Sequence, residues 1–174
     1  GYVPQEQILF AMSIKDNIRF GNPTLSDEEV VEATKICGLY DDIMAMPEGF
    51  DTLIGEKGVL LSGGQKQRLS MARALIVTPE ILMLDDSLSA VDAKTEHLIL
   101  ENLKRERSDK TTMITAHRLS AIVHADLIIV LQDGRIVEKG THEELMALGG
   151  WYAKTYDRQQ LEATLEEGGD AVEL

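Results

Sequence analysis

Apolar positions recur at helical spacing along much of this chain, and short apolar runs interrupt them. Ser26-Asp27-Glu28-Glu29 reads as a capping box, followed on one face by Val30, Ala33, Thr34 and Cys37, until Gly38 stops the helix. A short helix is expected from Asp41 to Met46, broken by Pro47. Residues 48–60 hold three glycines and read as loop. Ser62 can cap a helix over about 64–77, with Leu69, Ala72, Leu75 and Ile76 on its buried face and Pro79 past its end. Ile81–Leu84 is wholly apolar, as a buried parallel strand would be. A helix from Asp92 to about Arg107, a strand over Thr111–Thr115, a short helix over Leu119–His124 and a buried strand over Leu127–Leu131 follow. Asp133-Gly134 predicts a hairpin turn into Arg135–Glu138. Thr141-His142-Glu143-Glu144 is a second capping box, for a helix near 142–148. After Gly149-Gly150 a last helix is expected from Trp151 to about Leu165. Residues 1–5 read as the end of a strand entering a loop.

Helices come first, then strand–helix–strand–helix–strand. That order predicts an α/β fold with a parallel sheet, preceded by a small helical unit. The expected divisions are residues 1–78, the helical unit; 79–150, the α/β part; and 151–174, a terminal helix and acidic tail. We find no internal repeat and no low-complexity block.

Composition narrows the function classes. The chain has 174 residues, with room for one domain, with or without a tail. Its net charge of −13 argues against a nucleic-acid surface, which needs clustered positive charge. Eight aromatic residues (one Trp, four Tyr, three Phe) are too few for base-stacking platforms. The single cysteine, Cys37, excludes an internal disulfide and fits a reducing compartment. Apolar runs such as Leu127–Leu131 are far short of the roughly 18 residues of a membrane helix. A membrane-spanning or secreted role is therefore not expected of this segment, whatever a longer parent contains.

Four places carry candidate chemistry. Leu61-Ser62-Gly63-Gly64-Gln65 puts a serine and two glycines at a helix start. There backbone N–H groups point outward and the helix dipole favours an anion. An ordinary serine-capped helix has the same letters. Ile81–Leu84 ends in Asp85-Asp86, two carboxylates at the carboxyl end of a parallel strand, where α/β proteins bind ligands. Asp85 could hold Mg²⁺ through water, and Asp86 could orient or deprotonate an attacking water. Solvated acids at a strand end are the competing reading. His117 follows the strand Thr111–Thr115 and is expected at the same edge, where a neutral imidazole could bond a phosphate oxygen or the water. Gln5, after the first strand, could reach that edge as well. His97, His124 and His142 are read as surface or packing residues.

In this order the four places resemble the nucleotide-binding domain of ABC transporters. Leu61–Gln65 resembles the signature motif, Ile81–Asp85 the Walker B strand, and Ser89-Ala90-Val91-Asp92 the D-loop. His117, within Thr115-Ala116-His117-Arg118-Leu119-Ser120, resembles the switch histidine, and Gln5 the Q-loop glutamine. Gly55-Glu56-Lys57-Gly58 resembles the X-loop of exporters. The resemblance covers about residues 1–150. It implies the C-terminal part of a P-loop NTPase (RecA-like) parallel-sheet core with a helical signature subdomain. It also implies ATP and Mg²⁺ as ligands. Ser62 and the Gly63 and Gly64 N–H groups would contact the γ-phosphate of ATP held by a second nucleotide-binding domain. Asp85 and Gln5 would hold Mg²⁺ and the water, and Asp86 and His117 would serve the chemistry. Ser89 and Asp92 would belong to the domain interface, and Gly55, Glu56 and Gly58 would couple to a transmembrane domain at the cytoplasmic face of the plasma membrane.

Two departures from the family pattern matter. No GxxxxGK[ST] phosphate loop occurs in the chain. In the family it precedes the Q-loop, so a longer polypeptide is expected, with the phosphate loop and a membrane domain before Gly1. A short protein that docks on a partner is the alternative. The residue after the Walker B aspartate is Asp86, where the family's usual base is glutamate. With an intact signature, this resembles one subunit of heterodimeric exporters with two unequal ATP sites. The expected function is an ATP-hydrolysing exporter domain whose own site is slow. The alternatives are a regulatory, non-hydrolysing subunit, a homodimer that tolerates aspartate, and a non-transport protein of the translation-factor type. The acidic charge and the exporter-like loop speak against the last.

Overall fold

The computed structural model describes residues 1–55 and 59–169, with side chains as far as 165. The chain forms two compact units, Gly1–Ala116 and a second beginning at His117. The expected division at Pro79 falls inside the first unit. The helices ahead of it and the strand after it bury a common core there.

In the first unit, β1 (Tyr2–Val3), β2 (Ile81–Asp85) and β3 (Thr111–Thr115) form a parallel sheet in the order β1-β2-β3. The helices are α1 (Ile14–Ile18), α2 (Asp27–Ile36), α3 (Tyr40–Met44), α4 (Gly63–Leu75) and α5 (Ala93–Glu106). Local chemistry sets their starts. Ser26 and Glu29 close a capping box on α2, Ser62 and Gln65 close one on α4, and the Asp92 carboxylate caps α5. Helix α1 was not expected. At five residues it is too short to show a period, and Ser13 caps it by accepting from the Asp16 N–H. Ile14, Ile18, Val30, Cys37, Ile43, Leu69 and Met71 share one core with Leu82, Leu84 and Ile99. Cys37 is fully buried, and burial pushes its thiol far above the ordinary range.

Strand β2 was expected to be buried on both faces. Only one is. Leu82 and Leu84 are buried, whereas Ile81 is 54 % and Met83 43 % exposed. Side chains alternate across a strand, and the register sets Tyr2, Met83 and Met113 side by side on the exposed face.

The second unit holds β4 (Ile128–Gln132), β5 (Arg135–Gly140), α6 (His142–Leu148) and α7 (Trp151–Gly169). Strand β4 pairs antiparallel with β5, so it does not extend the parallel sheet. It is also not buried throughout: Ile128 and Val130 face the core, while Ile129 and Leu131 are exposed. The hairpin turns at Asp133-Gly134 as expected, and both residues have positive φ. Leu119, Ile128, Val130, Leu145 and Tyr152 form the unit's core, and His142 Nδ1 lies 2.9 Å from the Tyr152 hydroxyl as a packing residue. Thr141 and Glu144 close the expected capping box on α6. The α7 start borrows its cap from β5, where the Glu138 carboxylate accepts from the Trp151 and Tyr152 N–H groups. No helix among the described residues is long and apolar enough to cross a membrane.

Candidate functional site

Parallel pairing brings the carboxyl ends of β1, β2 and β3 to one edge, and three expected residues meet there. Asp85 stands opposite Thr115 in the register. Its Oδ1 accepts from the Thr115 hydroxyl at 2.6 Å, and its Oδ2 accepts from the Tyr2 hydroxyl at 3.2 Å. The hydrogen bond to that carboxylate, then burial, then its charge hold the Tyr2 hydroxyl above the usual phenol range. Both Asp85 oxygens are thus oriented by partners that are remote in sequence.

Asp86 follows with a left-handed backbone, φ 46°. Its N–H donates to the Thr115 carbonyl at 3.1 Å and to the Thr115 hydroxyl oxygen at 3.0 Å. Its carbonyl accepts from the Ser89 hydroxyl at 2.9 Å. Gln5 Nε2 donates to Asp86 Oδ2 at 3.3 Å, so the loop after β1 reaches the carboxylate after β2. Asp92 lies at the start of α5, where the Thr95 N–H donates to it at 3.0 Å and holds its carboxyl below the usual carboxylate range.

Ser62 and Gly63 are exposed at the start of α4. The Ser62 hydroxyl accepts from the Gln65 N–H at 3.2 Å, and Gln65 Oε1 accepts from the Ser62 N–H at 3.0 Å. Gln65 Nε2 also donates to Asp42 on α3 at 3.0 Å, and Arg68 reaches the same carboxylate at 2.7 Å. The N–H groups of Gly63 and Gly64 precede the first intrahelical bond, from Lys66 N to Ser62 O at 2.9 Å. Gly64 has a further reason to be glycine. A Cβ there would lie 2.8 Å from the Ala90 carbonyl oxygen of the same chain. Leu61 is buried beneath this turn. Gly55 has φ 118° and packs on Ala11; the expected Glu56 and Gly58 lie outside the described residues.

His117 is the first residue of the second unit, and its side chain is exposed. Gln159 of α7 fixes the backbone on both sides of Arg118, donating to the His117 carbonyl at 2.8 Å and accepting from the Leu119 N–H at 2.9 Å. Within the first unit, then, Gln5, Asp85 and Asp86 come together. Tyr2 and Thr115, which sequence reasoning missed, complete the cluster. Only the register of the sheet could have found them.

The donors at this edge are hard oxygens: the Asp85 and Asp86 carboxylates and the Gln5 amide. That set fits Mg²⁺, which takes one or two carboxylates and keeps water and substrate oxygens for the rest. Among the described residues, no group of three or more His, Cys, Asp or Glu side chains gathers to hold a metal.

Comparison with known proteins gives consistent matches. A family model described as ABC transporter matches residues 1–89. The chain is similar to a probable multidrug resistance ABC transporter ATP-binding/permease protein, YheI of Bacillus subtilis, at 56 % identity over 97 % of this chain and 29 % of that protein. The multidrug resistance-like ATP-binding protein MdlA of Escherichia coli is 48 % identical over 95 % of this chain and 28 % of its own length. A solved structure of a bacterial Atm1-family ABC exporter with ATP bound superposes with a TM-score of 0.87 at 43 % identity, over 91 % of this chain and 28 % of that one. The chain therefore spans under a third of the length of the curated relatives it matches.

Proposed function

The chain belongs to the ABC transporter family, and from that premise we propose that it is the larger part of the ATP-binding and ATP-hydrolysing domain of a multidrug-type exporter. In this reading the domain sits at the cytoplasmic face of the plasma membrane, under a transmembrane domain, and pairs with a second nucleotide-binding domain. No nucleic acid is involved. The observation that carries the reading is the meeting of Gln5 with Asp86 at 3.3 Å, beside an Asp85 fixed by Thr115 and Tyr2. These are the groups a phosphoryl-transfer site needs to orient water and hold a metal.

Each residue has a task. Asp85 and Gln5 would hold Mg²⁺, which would supply positive charge against the developing phosphate charge. Gln5 also aligns the attacking water. Asp86 is the proton acceptor, and His117 donates a hydrogen bond to the transferring phosphoryl group. Ser62 and the N–H groups of Gly63 and Gly64, at the positive end of the α4 dipole, receive the γ-phosphate of ATP bound to the partner domain. Leu61 and Gln65 hold that turn from below and from the side. Ser89 and Asp92 shape the turn that faces the partner. The Q-loop and the loop from Gly55 through Glu56 to Gly58 pass closure to the membrane domain.

Asp86 is one methylene shorter than glutamate, which draws its carboxylate back from the water. A misplacement of about 1 Å can cost about 100-fold in rate. The site built on Asp86 is therefore the slow one of the pair, while Ser62–Gln65 completes a competent site on the partner. The test is single-site ATP turnover by the full-length protein paired with its partner domain. Asp86→Glu is expected to raise turnover at this site about 10- to 100-fold. Unchanged turnover overturns the slow-site assignment, and absence of ATP hydrolysis in both proteins overturns the ATPase reading.

A further inference from the structure

Gln67 is a buried polar side chain, 4 % exposed, that the proposed chemistry does not use. It lies on α4, five residues beyond Ser62 and on the side turned toward the segment after β2. Its amide is engaged at both ends. Oε1 accepts from the Ala90 N–H at 2.9 Å. Nε2 donates to the Ser89 hydroxyl oxygen at 3.1 Å and reaches the Asp86 carbonyl at 3.5 Å. Gly64, one turn earlier, brings the Ala90 carbonyl within 2.8 Å of where its own Cβ would stand. Helix α4 thus seats residues 86–90 by an amide clamp and by a close backbone approach.

The seated segment turns through left-handed backbone. Asp86 holds φ 46°, which costs an ordinary residue with a Cβ and which aspartate tolerates better than most. Such a conformation persists only where its surroundings over-determine it. Here the restraints come from three places: Thr115 on β3 binds the Asp86 N–H, Ser89 binds its carbonyl from within the turn, and Gln67 joins them from α4. Next to Asp86, the buried Ser87 hydroxyl has no hydrogen-bond partner among the described residues, so the turn leaves a polar group unpaired.

We propose that Gln67 is a positioning residue that joins the start of α4 to the Asp86 turn, so that Ser62 and the Asp86 carboxylate move as one body. The proposal rests on the reading above, in which Ser62 serves the partner's ATP and Asp86 serves this chain's own. Contact with ATP at Ser62 is then felt at Asp86, and the coupling acts in both directions. A glutamine that only satisfies buried polar groups would give a different pattern: its loss would loosen the whole helical unit and leave the reaction parameters in proportion.

Two variants of the full-length protein, paired with its partner domain, test this. Gln67→Leu keeps the side chain's bulk and removes both the acceptor and the donor. Gln67→Glu keeps an acceptor for the Ala90 N–H and removes the donor. Amide hydrogen exchange is followed in a peptide spanning 86–92, with the α2 segment 30–36 as an internal control. Steady-state hydrolysis is measured against ATP concentration. For Gln67→Leu we expect exchange over 86–92 to quicken about tenfold with 30–36 unchanged. We also expect kcat to fall about tenfold with KM for ATP within about twofold. Gln67→Glu should lose kcat alike while keeping Ala90 protected, and it carries the test if the leucine variant does not fold. The proposal is overturned if exchange over 86–92 stays at the wild-type rate in a folded Gln67→Leu protein. Equal loosening of 86–92 and 30–36, or an unchanged kcat in both variants of an active transporter, overturns it too. A wild-type protein without ATPase activity sinks the functional reading instead, and the exchange measurement still decides the clamp.

Discussion

Asp86, at the end of β2, and Asp133, at the tip of the β4–β5 hairpin, both place a non-glycine residue in left-handed backbone, with φ of 46° and 50°. At Asp133 the conformation is demanded locally. A two-residue hairpin of this type needs positive φ at both central positions, aspartate tolerates it, and Gly134 follows in open space. At Asp86 the next residue is Ser87, and no local pattern demands the conformation. It is held by Thr115 on a neighbouring strand, by Gln67 from α4 and by Ser89 within the turn. One backbone shape is thus written in two adjacent letters. The other is written in residues 3 to 29 positions away, and it is the one that bears a candidate catalytic carboxylate. Strain maintained from outside marks a site whose position is worth fixing.

The comparison can be broken first at Thr115. Thr115→Val removes the hydroxyl that serves both Asp85 and the Asp86 N–H. Single-site ATP turnover at this chain's own site should fall about 100-fold, with about 1 kcal/mol of unfolding free energy lost in denaturant titration. Full activity in that variant would mean that the Asp86 turn keeps its shape without this support. A smaller effect separates the two strained positions directly. Glycine removes the Cβ penalty of left-handed backbone, about 1 kcal/mol for an ordinary residue. Aspartate tolerates left-handed backbone at both positions, so each glycine variant should gain at most about 0.5 kcal/mol; Asp86→Gly should gain less, because it also loses the Gln5 hydrogen bond, and it should abolish any proton acceptance there. Equal gains would erase the distinction.

The smallest effect comes from an unstrained aspartate. Asp92 has φ −65° and caps α5, and the Thr95 N–H lowers its pKa. A carboxyl lowered on folding contributes stability that is present above its unfolded pKa and lost as pH falls through the lower folded value. Asp92→Asn keeps a capping side chain without the charge. Stability should then fall less steeply below about pH 4, with little change at neutral pH. An unaltered acid limb would show that the cap charge contributes nothing.

What could be read from the letters alone follows the same division. The capping boxes at Ser26 and Thr141, the serine cap at Ser62 and the Asp133-Gly134 turn were legible, because each closes within a few residues. Strand β2 was legible as an apolar run and β3 as a strand, and Gln5, Asp85 and Asp86 as polar groups following strands. Tyr2 and Thr115 were not, because their roles arise from strand register over separations of 83 and 30 residues. The exposed face of β2 was hidden for a related reason: an unbroken apolar run says nothing about which of its two sides a helix covers. Gly64 was read as a phosphate-facing glycine, and its fit against Ala90 could not be foreseen without the turn after β2. Helix α7 carries no capping signal of its own, since Glu138 supplies the cap from another element.

The burial of Cys37 has a practical consequence. The single thiol of this chain is enclosed at the end of α2, and burial keeps it protonated. This chain should therefore be silent toward thiol reagents in the native state, so a fluorophore attached to a cysteine introduced into it at an exposed position would report from that position alone within these residues. Where the reagent does reach Cys37, the rate of labelling becomes a clock for the opening of the helical core.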